Sequence, residues 1–253
     1  MPEGDTIHRI AGRMRAAFVG REIGLAETPD PRSPIHGRAG VLEGQILDGV
    51  EARGKHLIAH FSGGVAIHSH LGINGSWRIA ADGRVPFGKP WLLLGSGRAI
   101  AAQYSGKLLR LVSESRIRND PGLMQLGPDP LAQDFDTGVA AQRLLGAGAD
   151  REVGDVLLDQ RVIAGIGNAI RVEALFVTGI DPWRRIGDLE REEAEDLIRA
   201  NQRVMTVSVR KGRRPRSIYR ATRKGCPRCG GRISVRGQGD ANRTAYWCER
   251  CQS

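Results

Sequence analysis

What this sequence lacks narrows it first. No cysteine precedes Cys226, so no disulfide framework spans the chain. No apolar run approaches the roughly 18 residues that a membrane helix needs, and the N-terminus has no signal-peptide apolar core; a cytoplasmic location is expected. Acidic side chains are in deficit, with 28 Asp and Glu against 38 Lys and Arg and a formal charge of +10. The resulting pI near 10.2 describes a field that attracts polyanions, and nucleic acid is the partner that fits it. What remains is ordinary: 253 residues, 40% of them apolar, are enough for two domains, or for one large domain with a small appendix.

The opening MPEGDTIHRI sets Pro2 and Glu3 directly behind Met1. Loss of Met1 would leave Pro2 as a free secondary amine beside a carboxyl group, a nucleophile paired with an acid. From Asp5 the pattern is helical, with Asp5 or Thr6 expected as the cap and Ile7, Ile10, Ala11, Met14, Ala17 and Phe18 at helical spacing. The positive end of such a helix disfavours a protonated amine nearby, which helps to keep Pro2 neutral.

After Pro34 short apolar runs alternate with glycine. HLIAHFSGGVAIHSHL reads as a hairpin turning at Ser62 to Gly64, and WLLLGSGRAIAAQY as another turning at Gly95 to Gly97. His60, His68 and His70 are read as strand and loop residues rather than metal ligands, because no carboxylate or thiol follows at ligand spacing. NDPGLMQLGPDPL is dense in Pro and Gly and suits a hinge; beyond it TGVAAQRLLGAG, REVGDVLLDQRVIAG, NAIRVEALFVTG and DLEREEAEDLIRANQRVMTVSV are helical patterns. The basic stretch RKGRRPRSIYRATRKG, in which Pro215 bars a continuous helix, reads either as a solvated linker or as a phosphate contact. The expected class is α+β: a mainly β region over residues 1–115, a hinge over 116–128, a helical domain over 129–222 and a metal module over 223–253.

Cys226, Cys229, Cys248 and Cys251 form two C-x-x-C pairs, the spacing of a tetrahedral thiolate site that suits one zinc ion. Four thiolates leave no open position, so the ion is expected to be structural. Between the pairs, GRISVRGQGDANRTAYW reads as a β-hairpin with Arg243 near its tip. In AGIGNAIRVEALF, Gly165 and Gly167 allow a tight turn and Asn168 is expected to cap the next helix with its amide outward. That arrangement suits a phosphate clamp, although the same stretch also reads as a plain corner between helices.

Taken together, PEG at the start, RGKHL around Lys55, LGPDPL, LLDQRVIAGIGNAIRVEALF and RTAYWCERCQ resemble the formamidopyrimidine-DNA glycosylase and endonuclease VIII family, in family order across nearly the whole chain. The resemblance implies an N-terminal β-sandwich flanked by helices, then a helix-two-turn-helix motif and a zinc hairpin in the second half, with damaged DNA, double- or single-stranded, bound by a monomer in a basic cleft between the domains. It implies a bacterial, nucleoid-associated protein. Pro2 would be the nucleophile, Glu3 the acidic residue that moves protons at the sugar, and Lys55 the hairpin lysine that approaches the lesion. Asn168 and Arg243 would hold phosphates. The expected activity is that of a bifunctional glycosylase and AP lyase, with β,δ-elimination.

A flipped base leaves a gap that some side chain must fill, and the loop Gly72, Ile73, Asn74 offers only Ile73 as a wedge. QYSGKLLRLV lacks the Arg-Phe pair that the formamidopyrimidine branch supplies. PEGDT is closer to the endonuclease VIII branch than to PELPE, which points to oxidised pyrimidines rather than 8-oxoguanine. Two other readings compete: a catalytically silent, zinc-containing DNA-binding protein, and a zinc-ribbon RNA-binding or ribosome-associated factor. The latter leaves PEG and Lys55 without a role.

Overall fold

Ile7, Ile10, Ala11, Met14 and Phe18 do fall on one buried stripe, in α1 (Gly4–Phe18). The computed structural model describes residues 1–84 and 87–253. The N-cap is Glu3 rather than Asp5 or Thr6, because the Glu3 carbonyl already accepts the N–H groups of Thr6 and Ile7 at 2.9 and 3.2 Å. The helix therefore begins one residue after the Pro2–Glu3 pair.

The chain divides into two compact units, Met1–Met124 and Gln125–Ser253. In the first, the strands are β1 (Leu25–Glu27), β2 (Leu47–Arg53), β3 (His56–Phe61), β4 (Val65–His70), β5 (Ser76–Ala80), β6 (Leu92–Ser96), β7 (Ala99–Tyr104) and β8 (Leu108–Ser113). They form two four-stranded sheets, β2-β3-β4-β8 and β1-β6-β7-β5, antiparallel throughout. Leu57, Phe61 and Ile67 of one sheet share a single core with Trp77, Leu92 and Ala101 of the other and with Ile7, Met14 and Phe18 of α1. This is a β-sandwich with a helix built into its core. Arg15 ties α1 to β2 by donating to the Val50 carbonyl at 2.6 Å. The β3–β4 turn lies where the sequence sets it, at residues 62–64, while β6 runs through Gly95 so that its turn to β7 falls at Gly97 and Arg98. The stretch expected as a hinge holds most of α2 (Glu114–Arg118) and all of α3 (Pro121–Met124).

The second unit holds α4 (Thr137–Leu145), α5 (Val153–Val156), α6 (Asn168–Thr178) and α7 (Arg191–Lys211), then β9 (Ser234–Gln238) paired with β10 (Arg243–Trp247). Residues 151–165 are not the continuous helix that their pattern suggests. Asp159 draws the backbone N–H of Arg161 to its carboxylate at 3.1 Å, and Gln160 donates to the carbonyls of Leu158 and Ile166 at 2.9 and 3.0 Å. Those side-chain bonds replace the helical ladder. The path then reverses at Gly165, whose φ of 86° suits glycine, and enters α6, which is buried from Asn168 to Phe176. Ile170, Ala174 and Leu175 of α6 pack with Ala141 and Leu144 of α4 and Leu197, Ile198 and Met205 of α7. A smaller core joins Val172 and Phe176 to Ile218, Cys226, Ile233 and Cys248, seating the cysteine module on the back of α6. Among the described residues no helix is long and apolar enough to cross a membrane.

Candidate functional site

The N-terminal unit holds the residues expected to do chemistry. Pro2 is half-buried, and Glu3 is 1% exposed at the head of α1, where its backbone N–H meets the Thr6 hydroxyl at 3.5 Å. Lys55 stands with Gly54 in the two-residue turn that joins β2 to β3, between the paired residues Arg53 and His56. Gly54 has φ 56°, which the first position of such a tight hairpin demands. Ile73 lies in the turn after β4 and is 62% exposed, as a side chain must be if it is to enter a gap in DNA. Its turn is drawn tight by Gly75, whose N–H bonds to the Leu71 carbonyl at 3.0 Å. Lys107 lies against the same turn, since its Cβ would be 3.1 Å from a Cβ added at Gly72.

Beside Lys55 the structure assembles a cluster that sequence reading passed over. His56 and His70 face each other across β3 and β4, their rings 4.7 Å apart and edge to face. His56 Nδ1 lies 2.8 Å from His68 Nε2. Arg110 of β8 donates through Nε and Nη2 to His68 Nδ1 at 3.1 and 2.8 Å and is itself paired with Asp120. Burial, with smaller contributions from the neighbouring histidines and from Arg110, Lys107 and Lys55, pushes His56 down to about 3 and His68 and His70 down to about 4. All three are neutral at physiological pH. His60, by contrast, is bracketed by Glu51 at 3.0 Å and Glu114 at 2.8 Å, and its hydrogen bond to Glu51 raises its pKa. The alternation of His60, His68 and His70 thus conceals two environments, and the pairing of His56 across the strands was the signal available in the sequence.

In the second unit Asn168 and Arg243 are brought together by a residue not anticipated, Arg171. This side chain is fully buried. It donates to Asn168 Oδ1 at 2.9 Å, to the Gly154 carbonyl at 2.6 Å, to Gln238 Oε1 at 2.9 Å and to the Arg243 carbonyl at 3.0 Å. Asn168 in turn donates to the Thr244 carbonyl at 2.8 Å. The N-cap of α6 is therefore Gly167, and the Asn168 amide is turned into the fold, not outward, because Arg171 and the hairpin backbone claim it. Arg243 is exposed at the first position of β10, opposite Gln238. The basic stretch after α7 is no free linker. Glu173, 1% exposed, accepts the backbone N–H groups of Ser217, Ile218 and Tyr219 at 2.7, 3.1 and 2.9 Å, and Ile218 is buried beneath it.

The sulfur atoms of Cys226, Cys229, Cys248 and Cys251 lie within 4.8 Å of one another, with Cys226–Cys251 at 3.8 Å and Cys229–Cys248 at 3.5 Å. A tetrahedral site with Zn–S bonds of about 2.3 Å would space its sulfurs by roughly 3.8 Å. The donor set and its spacing fit a closed metal centre.

Residues 1–111 match the Formamidopyrimidine-DNA glycosylase N-terminal domain, and residues 126–219 match the Formamidopyrimidine-DNA glycosylase H2TH domain. A probable endonuclease 8 2 of Streptomyces coelicolor is 35% identical over the whole chain and 94% of its own length. The chain belongs to this family of DNA glycosylases and AP lyases. Endonuclease 8 2 of Mycobacterium tuberculosis is 36% identical over the full length of both proteins. The DNA-(apurinic or apyrimidinic site) lyase Nei2 of Mycolicibacterium smegmatis is 34% identical over the whole chain and 99% of its own. Among solved structures, the MutM (Fpg) protein of Thermus thermophilus superposes with a TM-score of 0.82 at 27% identity, covering 99% of this chain and 98% of that one. Sequence thus groups the chain with proteins named endonuclease 8, while the fold is shared with the formamidopyrimidine branch.

Proposed function

We propose that the protein removes oxidised bases from DNA, pyrimidines in preference, and then cuts the strand by β,δ-elimination at the site it has emptied. The observation that carries this reading is the Pro2–Glu3 pair, held directly ahead of α1 in a domain that matches the glycosylase family from residue 1. With Met1 removed, the secondary amine of Pro2 attacks C1' of the damaged nucleotide. The glycosidic bond breaks, the base departs with a proton and the nitrogen loses its own; the C1'–O4' bond then opens, O4' taking a proton from Glu3 as the nitrogen lone pair forms the iminium with C1'. Glu3 serves as the acid and base at the sugar. The iminium acidifies the 2' proton, whose loss expels the 3' phosphate; a second elimination expels the 5' phosphate, and water releases the sugar fragment from Pro2.

Lys55 approaches the phosphate and sugar from its turn, Ile73 enters the gap, and Asn168 and Arg243 hold phosphates, Asn168 through the second proton of its amide. The four cysteines hold one zinc ion, which supplies no chemistry and keeps the hairpin folded. The protein acts as a monomer on double- or single-stranded DNA within the bacterial nucleoid.

The test is borohydride trapping on oligonucleotides with defined lesions, in single and double strands. Met1-free protein should form an adduct that maps to Pro2, Pro2→Gly should trap poorly, and Glu3→Gln should bind DNA without removing intact damaged bases. Equal trapping by Met1-retaining and Met1-free protein, checked by intact mass, would show that Pro2 is not the nucleophile.

A further inference from the structure

Gln103 is a polar residue for which the core of the N-terminal unit has no packing need. It lies in β7 between Trp77 of β5 and Leu92 of β6 and is 0% exposed. Its Nε2 donates to the Ser105 carbonyl at 3.2 Å. The reverse orientation of the amide would set two acceptor oxygens against each other, so the donor is fixed. Among the described residues, Oε1 is buried and meets no donor. An amide in that state contributes less to stability than an apolar side chain of the same length. What it supplies is a hold on the turn after β7.

That turn, residues 105–107, needs holding, because Ser105 stands at φ 53°, where a residue with a side chain is disfavoured. It also lies directly against the turn that carries Ile73. A Cβ added at Gly75 would fall 2.9 Å from the Gly106 Cα, so the two backbones meet with no side chain between them. The Lys107 N–H donates to the His70 carbonyl at 2.8 Å and ties the turns together. A Cβ added at Gly106 would meet the Gln103 Nε2 at 3.2 Å and the His70 carbonyl oxygen at 3.1 Å. Gln103, Gly106 and the start of the Ile73 turn therefore form one packed stack. We propose that Gln103 is a positioning residue for duplex DNA, which through residues 105–107 holds the Ile73 turn where its side chain enters the gap left by a flipped nucleotide. This rests on the wedge role given to Ile73 in the function proposed above. An exposed side chain on a glycine-rich turn loses ordering entropy on insertion unless the turn is fixed beforehand. Gln103 fixes it from a buried position that DNA does not reach.

The experiment has two arms, both on Gln103→Met, which removes the amide and keeps most of its length. Hydrogen exchange in the free protein reads the turns without DNA. The amides of Gly75 and Lys107 should exchange about tenfold faster, the scale of one lost hydrogen bond, while those of Ile67 and Ala101 in the strands keep their rates. The melting temperature should not fall. In the second arm, single-turnover cleavage at an abasic site is measured in a duplex and in the same strand alone. The duplex reaction should slow about tenfold and the single-strand reaction less than about twofold, because a single strand leaves no gap to fill. A double variant with Ile73→Gly should be no slower on duplex than Ile73→Gly alone. Unchanged exchange at Gly75 and Lys107, or an unchanged duplex rate, overturns the proposal. So do equal losses on both substrates, losses that multiply in the double variant, or exchange that quickens throughout the strands, which marks a merely structural residue. Full duplex activity in Ile73→Gly refutes the wedge reading and the duplex role of Gln103 with it, and is told apart by exchange at Gly75 that is still faster in Gln103→Met.

Discussion

Replacing Arg171 by Met tests the architecture that joins α6 to the β9–β10 hairpin in the second unit. The side chain is fully buried and donates hydrogen bonds to Asn168, Gly154, Gln238 and Arg243. Methionine fills much of the volume but leaves four acceptors without a donor, and a buried unsatisfied polar group costs on the order of 1–3 kcal/mol. Water will reach the acceptors nearest the hairpin surface, so the sum falls to about 3–5 kcal/mol, the usual cost of breaking a buried charged network. Domains of this size are stable by roughly 5–15 kcal/mol, so the loss should be plain in a thermal melt as a fall of about 10 °C or more. Arg171→Lys should recover little, since an ammonium cannot span four acceptors in one plane. Both variants should also bind DNA less tightly, because Arg243 loses the contact that fixes its backbone. A change in melting temperature below about 3 °C for Arg171→Met would refute the reasoning.

Chelation of the metal, or Cys229→Ser, should loosen the β9–β10 hairpin and weaken DNA binding, as read by circular dichroism and gel shift, while an adduct at Pro2 still forms at high DNA concentration. Full affinity in metal-free protein would count against a structural ion. His60, raised by its bond to Glu51 from the ordinary 6.5, adds stability that is fully present below pH 6.5 and is lost as pH rises through its folded value. Glu51, lowered from 4.5 chiefly by the same bond, adds stability above pH 4.5 that is lost on acidification. His60→Gln should therefore destabilise more at pH 5.5 than at pH 8.5 in urea titrations, and equal effects would refute the assignment. Ile73→Gly should lower cleavage of duplex more than of single-stranded substrate, and no difference between the two would remove Ile73 as the wedge.

How far the sequence carried these conclusions depended on the range of the interaction. The stripe of α1, the β3–β4 hairpin and the paired cysteines are local patterns, and each was legible because one element's period or spacing contained all its information. The N-cap moved from Asp5 to Glu3 for an equally local reason, a carbonyl that accepts two N–H groups, but side-chain preference alone ranks Asp above Glu there. Arg171 was invisible, because its partners come from four separate stretches between Gly154 and Arg243. So was the hydrogen-bonded cluster of His56, His68, Arg110 and Asp120, which belong to different strands and a loop. Asn168 shows the cost of judging a polar residue by its immediate neighbours: its place after Gly167 suggested an outward amide, and a charge three residues further on turned it inward.

The two restraints on the metal hairpin act at opposite ends, which explains why the fold uses both. Cys226 and Cys229 precede β9, and Cys248 and Cys251 follow β10, so a metal held by the four thiols would close the base. Arg171 reaches Gln238, the last residue of β9, and the carbonyl of Arg243, the first of β10, and so grips the tip. A two-stranded hairpin of five residues a side is marginal by itself in water, and a clamp at the base alone would leave the tip to fray. A fraying tip would spread Arg243 over many positions, and a phosphate contact made by one guanidinium would pay ordering entropy at each encounter. Joining the tip to α6 through a buried charge transfers that cost to folding, where the core of the second unit carries it. It also explains why Asn168 is turned inward. An amide that donates to the hairpin carbonyl of Thr244 joins α6 to the hairpin, and on the function proposed above this is what would let one phosphate group meet the N-terminal turn of α6 and Arg243 together.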